Sequence, residues 1–164
     1  MSANTSNEQL YSGFTYCTAL TSVYLPQNID DIGDYCFYNC SGLTSINIPN
    51  SVKYIGYSAF TNCYRLSEIR IPSSVTSIDT ACFGNCSGAT SLIFEEGCQL
   101  KTIPTSGFQN CVSLVTVTIP EGVTTINSRA FYGCNNIKTN PLPSTLTSNG
   151  TNGFSSCDLA LTEI

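Results

Sequence analysis

The sequence predicts a repeat solenoid: stacked coils with one parallel sheet face and short helical or 3-10 turns on the opposite face. Three observations carry this reading. A Phe followed three residues later by a Cys recurs as Phe14/Cys17, Phe37/Cys40, Phe60/Cys63, Phe83/Cys86, Phe108/Cys111, Phe131/Cys134 and Phe154/Cys157. Successive Phe residues stand 23, 23, 23, 25, 23 and 23 apart, with the two extra residues falling within Glu95–Gln99. Other apolar columns keep the same phase, so no single unit buries its own apolar face and each must continue into its neighbour.

Each element follows from its column. Six residues after each Phe stand Leu20, Leu43, Leu66, Ala89, Leu114, Ile137 and Ala160, and steps of three from Phe to Cys to Leu suit a helical turn. Val23, Ile46, Ile69, Leu92 and Val117, then Leu25, Ile48, Ile71, Phe94, Ile119 and Leu142, alternate with polar residues in the period of a strand. Pro26, Pro49, Pro72, Pro120 and Pro143 end that strand, because a missing N–H denies the ladder a bond. Val52 with Ile55, Val75 with Ile78 and Val123 with Ile126 then return the backbone to the core. At the ~4.8 Å spacing of paired strands, six steps give a rod about 30 Å long.

Composition narrows the function. The chain has 164 residues, enough for one core, and a net charge of −5 with only 10% charged residues. So acidic and cation-poor a chain does not neutralise a row of phosphates, which argues against nucleic acid. It has no His, the side chain most used for general acid/base work near neutral pH. Ser and Thr therefore lack a base to activate them, and the carboxylates Asp30, Asp31, Asp34, Asp79, Glu95, Glu96 and Glu121 read as solvated coil corners. An enzymatic reading would require a pocket with convergent ionisable groups near Glu95, Glu96 and Lys101. Glycines form neither G-x-G-x-x-G nor a phosphate loop, and no cofactor is indicated.

Ten Cys invite a disulfide or metal reading. Seven share one core-facing column, while Cys36 and Cys82 sit in a column otherwise filled by Gly13, Ala59, Gly107, Ala130 and Gly153, so all nine read as small buried thiols. A parallel stack aims their Cβ vectors alike, which disfavours a disulfide ladder. Cys36/Cys40 and Cys82/Cys86 have tolerable metal-ligand spacing but lie two coils apart, and no metal site is expected. Cys98, in the insertion, reads as the exposed thiol, with Lys101 its nearest cation in sequence.

Stretches such as IPNSVKYIGYSAFTNCYRLSEIRIPSSVTSI and IPEGVTTINSRAFYGCNNI resemble the BspA-like leucine-rich repeat over roughly Phe14 to Cys157. The resemblance implies a leucine-rich-repeat solenoid of right-handed coils, displayed on or secreted from bacteria or parasitic protists and associated with adhesion to host proteins, cells or matrix. It divides the chain into a segment 1–13, a seven-coil solenoid 14–157 and the truncated start of a further coil, 158–164. Three units depart from the pattern. The fourth replaces Ile-Pro with Phe94-Glu95 and has Ala89 for Leu; the sixth has Asn140 and Pro141 in its strand; the seventh ends in mid-coil at Leu161-Thr162-Glu163-Ile164.

The outward row of the strand face is the candidate binding surface: Ser22 and Tyr24, Ser45 and Asn47, Glu68 and Arg70, Ser91 and Ile93, Thr116 and Thr118. Tyr24, Arg70 and Ile93 are residue types able to anchor a protein or cell-surface ligand. A second set, Tyr54, Tyr57 and Tyr64 with Tyr35 and Tyr38, lies around the coil corners and reads as scattered surface tyrosine. Leu10 and Tyr11 are placed to plug the first coil, and uncapped ends favour the alternative function, a structural protein assembling end to end or edge to edge into fibres or dimers. Met1 to Asn7 lacks the pattern of a signal peptide, and no segment reaches the ~18 apolar residues of a membrane span, so the chain reads as soluble. Sequons at Asn4, Asn39, Asn85 and Asn149 fit a eukaryotic secretory route but recur readily by chance in a chain rich in Asn, Ser and Thr.

Overall fold

In the computed structural model, residues 12–138 and 142–157 are described. The proposed plug by Leu10 and Tyr11, the Met1–Asn7 segment, the sequon at Asn4, the strand interruption at Asn140-Pro141 and the coil opening at 158–164 all lie outside them.

The chain winds into a parallel solenoid whose coils carry two strand columns and one turn column. In the first strand column β3 (Glu68–Ile71), β5 (Ser91–Phe94) and β7 (Thr116–Val117) pair in the order β3-β5-β7. In the second, β1 (Asp31–Ile32), β2 (Tyr54–Ile55) and β4 (Ser77–Ile78) form one sheet. Still in that second column, β6 (Thr102–Ile103), β8 (Thr125–Ile126) and β9 (Ser148–Asn149) form another. Every pairing is parallel and joins residues one repeat apart, as in Ile32↔Ile55↔Ile78. The sequence reading expected a single sheet face. The segment that returns the chain to the core is itself a strand, because its backbone groups meet the same groups of the next coil at ladder distance.

The turn column keeps the three-residue bonds expected of a short helical or 3-10 turn but does not wind into a helix, for a definable reason. The N–H of Cys40 donates to Phe37 C=O and that of Leu43 to Cys40 C=O, three residues back, at 3.1 and 3.0 Å. The alternate N–H groups of Tyr35, Phe37 and Asn39 instead donate to Tyr57, Ala59 and Thr61 on the next coil, at 2.9, 2.8 and 2.9 Å. A helix uses its N–H groups within itself. Here every second one is spent on stacking, and left-handed residues such as Tyr35 (φ 57°) and Asn39 (φ 58°) flank each Phe and keep the turn from propagating.

Phe37, Phe60, Phe83, Phe108 and Phe131 are fully buried, and all seven column rings stack nearly parallel. Their centroids stand 4.9 to 5.7 Å apart, the widest step being Phe83 to Phe108, across the insertion. That insertion also separates the two sheets of the second column: Cys98 N–H closes a turn onto Glu95 C=O at 3.1 Å, with Gly97 left-handed at φ 81°. The first column crosses the same place unbroken, Leu92 pairing with Val117, because the extra residues follow β5. Proline limits strand length as expected. Where Glu95 replaces it, the N–H is present and donates to Ile71 C=O at 3.0 Å, beyond the end of β5.

Candidate functional site

The strand-face row is set by the pleat. Ile69, Leu92 and Val117 point inward and are at most 4% exposed, so their neighbours on the same strands point outward. Glu68, Ser91 and Thr116 fall in one cross-strand register, Arg70 and Ile93 in the next, and Thr118 lies just beyond β7. The Arg70 guanidinium sits between carboxylates of two coils, 3.2 Å from Glu68 Oε1 and 3.9 Å from Glu95 Oε1. The Ser91 hydroxyl donates to Glu68 Oε2 at 3.4 Å. With Arg70 and Glu68 exposed and Glu95 only half-buried, these pairs orient Arg70 more than they stabilise the fold.

Ser22, Tyr24, Ser45 and Asn47 are exposed on the same face, but their segments form no ladder. The last backbone bond between those two coils on this side is Thr44 N–H to Thr21 C=O, 2.9 Å. Beyond it the segments part around a shallow depression of about 200 Å³ floored by Val23 and Ile46. Tyr24 stands on its rim, 98% exposed.

Of the five corner tyrosines, Tyr35, Tyr38 and Tyr57 are brought together. Tyr16, Tyr38, Tyr35 and Tyr57 form a continuous chain of edge-to-face contacts with centroids 5.6, 5.6 and 5.2 Å apart. Tyr16 was not among the residues the sequence singled out. Tyr54 turns away from this chain, its hydroxyl donating to Asp79 Oδ2 at 2.9 Å, and Tyr64 makes none of these ring contacts. Burial first, then a hydrogen bond with Tyr57 and the negative field of Asp34 among others, raise the Tyr35 phenol above its ordinary pKa.

The cysteine column has a role that spacing alone did not show. From Cys40 onward each column thiol reaches back and donates to the Phe carbonyl of the coil before: Cys63 to Phe37 and Cys86 to Phe60 at 3.3 Å, Cys111 to Phe83 at 3.2 Å, Cys134 to Phe108 at 3.1 Å. All ten thiols are free. Burial pushes Cys36 and Cys63 up to about 12 and raises Cys82, Cys86 and Cys134 as well, so none of these is a nucleophile at neutral pH. The exposed thiol is Cys17, whereas Cys98 packs partly against the core and is itself raised by burial. Among the described residues no three His, Cys, Asp or Glu side chains gather to hold a metal.

A second ladder runs beside it, Asn85 Nδ2 donating to Asn62 Oδ1 at 2.8 Å and Asn110 Nδ2 to Asn85 Oδ1 at 3.0 Å. Its signal in the sequence is Asn recurring two residues after Phe, at Asn39, Asn62, Asn85 and Asn110. Asn85 is therefore a poor glycan acceptor, since its amide is committed to the ladder.

Comparison with known proteins follows the same lines. A solved leucine-rich repeat protein from Bacteroides ovatus superposes with a TM-score of 0.70 at 27% identity, over 94% of this chain and 45% of that one. A leucine-rich cell surface protein from Faecalibacterium prausnitzii gives 0.73 at 37% identity, over 86% and 38%. The leucine-rich repeat protein of T. pallidum gives 0.70 at 29%, over 79% and 69%. The chain thus spans less than half the length of the first two. No curated protein matches it. The family model of the BspA type leucine rich repeat region matches residues 10–114 and 101–164. With its Phe rings stacked and its strands paired in parallel one repeat apart, the chain belongs to the BspA-type leucine-rich repeat family.

Proposed function

We propose that the chain is a non-enzymatic protein-recognition or adhesion module of a cell-surface or secreted protein, and that it binds through the strand face. The observation that carries this is the in-register outward row on β3, β5 and β7, where Arg70 is held between Glu68 and Glu95 beside Ile93. A sheet fixed from beneath by a stacked core presents that row with little ordering left to complete on binding. The cell-surface name of one similar structure supports the location. Among the described residues no helix is long and apolar enough to cross a membrane.

Beads coated with the chain test this against immobilised extracellular-matrix proteins and cultured epithelial cells. Capture is expected, and the double variant Arg70→Ala with Ile93→Asp is expected to reduce it by about tenfold or more, as for truncated interface anchors. Its melting temperature should stay within a few degrees, since both side chains are outside the core. Absence of capture, or capture indifferent to the double variant, would remove the strand face as the binding surface.

A further inference from the structure

The turn face of the first coils carries aromatic residues that the fold does not ask for. Two residues before each Phe the backbone is left-handed, at Ser12, Tyr35, Ser58, Ala81, Ser106, Arg129 and Asn152. Two residues after it the same holds, at Tyr16, Asn39, Asn62, Asn85, Asn110, Gly133 and Ser156. Small residues, Asn and Gly meet this demand in most coils, Asn and Gly at least steric cost. A bulky tyrosine at φ 61° (Tyr16) or 57° (Tyr35) is a costly choice. Tyr38 and Tyr57 complete the chain from positions that hold Thr61 and Thr80 one coil on. Strain retained at exposed side chains points to a use outside the fold. Three of the four rings are exposed in part, Tyr16 63%, Tyr35 41% and Tyr57 38%, and Tyr38 is half-buried between them.

The charge held directly against the rings is negative, the cation Lys53 lying farther along the corner with its backbone N–H on Asp30 C=O at 2.6 Å. Asp34 is fixed against them, its Oδ1 accepting the Tyr57 N–H at 2.8 Å, and Asp30 and Asp31 precede it. The two ion pairs among the described residues both belong to Arg70 and leave these carboxylates out. Ring faces carry negative quadrupole potential, and a guanidinium stacks on them while pairing with a carboxylate at its edge. We propose that the ridge Tyr16–Tyr38–Tyr35–Tyr57 with Asp34 docks an arginine-bearing basic segment of a partner protein. This surface is separate from the strand face and stands or falls independently of it.

Calorimetric titration with nona-arginine and nona-lysine peptides tests the proposal. Nona-arginine is expected to bind about tenfold tighter than nona-lysine, the margin of a stacked guanidinium over a point charge. The quadruple variant Tyr16→Asn, Tyr35→Ser, Tyr38→Thr and Tyr57→Thr uses residues already found in those columns. It should keep or raise the melting temperature and lose about tenfold or more in affinity for nona-arginine. Tyr38→Phe should stay within about twofold, because the ring face and not the hydroxyl is engaged. Tyr38→Thr alone, at a residue outside the left-handed set, serves if the quadruple variant does not fold. Equal affinity for the two peptides, binding untouched by loss of the tyrosines, or tyrosine-dependent binding of neutral chitotetraose without binding of nona-arginine would each overturn it.

Discussion

Phe37 C=O accepts two hydrogen bonds, from Cys40 N–H in its own coil at 3.1 Å and from the Cys63 thiol of the next at 3.3 Å. Cysteine suits this column because it is small enough to be fully buried and still brings a weak donor. Cys63→Ala removes that donor and a buried sulfur, and is expected to cost about 1–2 kcal/mol, read by urea unfolding. The thiols also set a pH dependence. Folded Cys63 is raised to about 12 from 9.0, so in between the unfolded chain has lost a proton that the folded chain keeps. Stability is therefore expected to be unchanged by thiol ionisation below about pH 9 and to fall as pH rises from there toward 12. Melting curves between pH 8 and 11 check the sign; a flat profile would contradict the buried thiols. A thiol reagent at pH 8 should modify Cys17 first and reach Cys63, Cys86 and Cys111 only on unfolding, because Cys17 is exposed and the others are buried.

The ring stack and the Asn ladder are the elements that tie one coil to the next. Phe60 lies between Phe37 at 5.1 Å and Phe83 at 4.9 Å, fully buried on both sides. Phe60→Ala is expected to destabilise by about 3–5 kcal/mol in denaturant titration, the cost of a large aromatic cavity. Phe14→Ala should cost less, since Phe14 has one stacked neighbour and is only half-buried. Asn85 combines a left-handed backbone at φ 59° with amide bonds to both neighbours in the ladder. Asn85→Ala loses both features and Asn85→Gly only the second, so alanine is expected to be the more destabilising of the two. The chain already contains the glycine solution at the same place, Gly133 at φ 74°.

Over the whole molecule, stability is a sum of coil-to-coil interfaces, and these are unequal. The insertion at Glu95–Gln99 interrupts the second strand column and widens the ring stack to 5.7 Å, leaving the first strand column to bridge it. Hydrogen exchange is therefore expected to divide there. In a Phe131→Ala variant, amides of β8 and β9 should exchange faster while those of β1, β2 and β4 keep their protection, as subunits of a linear array open separately. Uniform loss of protection across all coils would show the insertion to be no boundary.

The sequence alone determined that the chain is a solenoid, which columns face inward and where the repeat is interrupted. These are legible because a fixed period repeats one local solution, so seven copies report the same burial. The outward row of the strand face was legible for the same reason, since a strand's period of two assigns its opposite side. Only the tertiary structure decided that the returning segment pairs as a second strand column, that Val23 and Ile46 floor an open depression, and that four tyrosines touch. It also decided that thiols and amides run in ladders along the rod. All of these but the Tyr35–Tyr38 contact are relations between residues about 23 apart, set by how closely two coils stack, and spacing along a chain does not specify the distance between its windings.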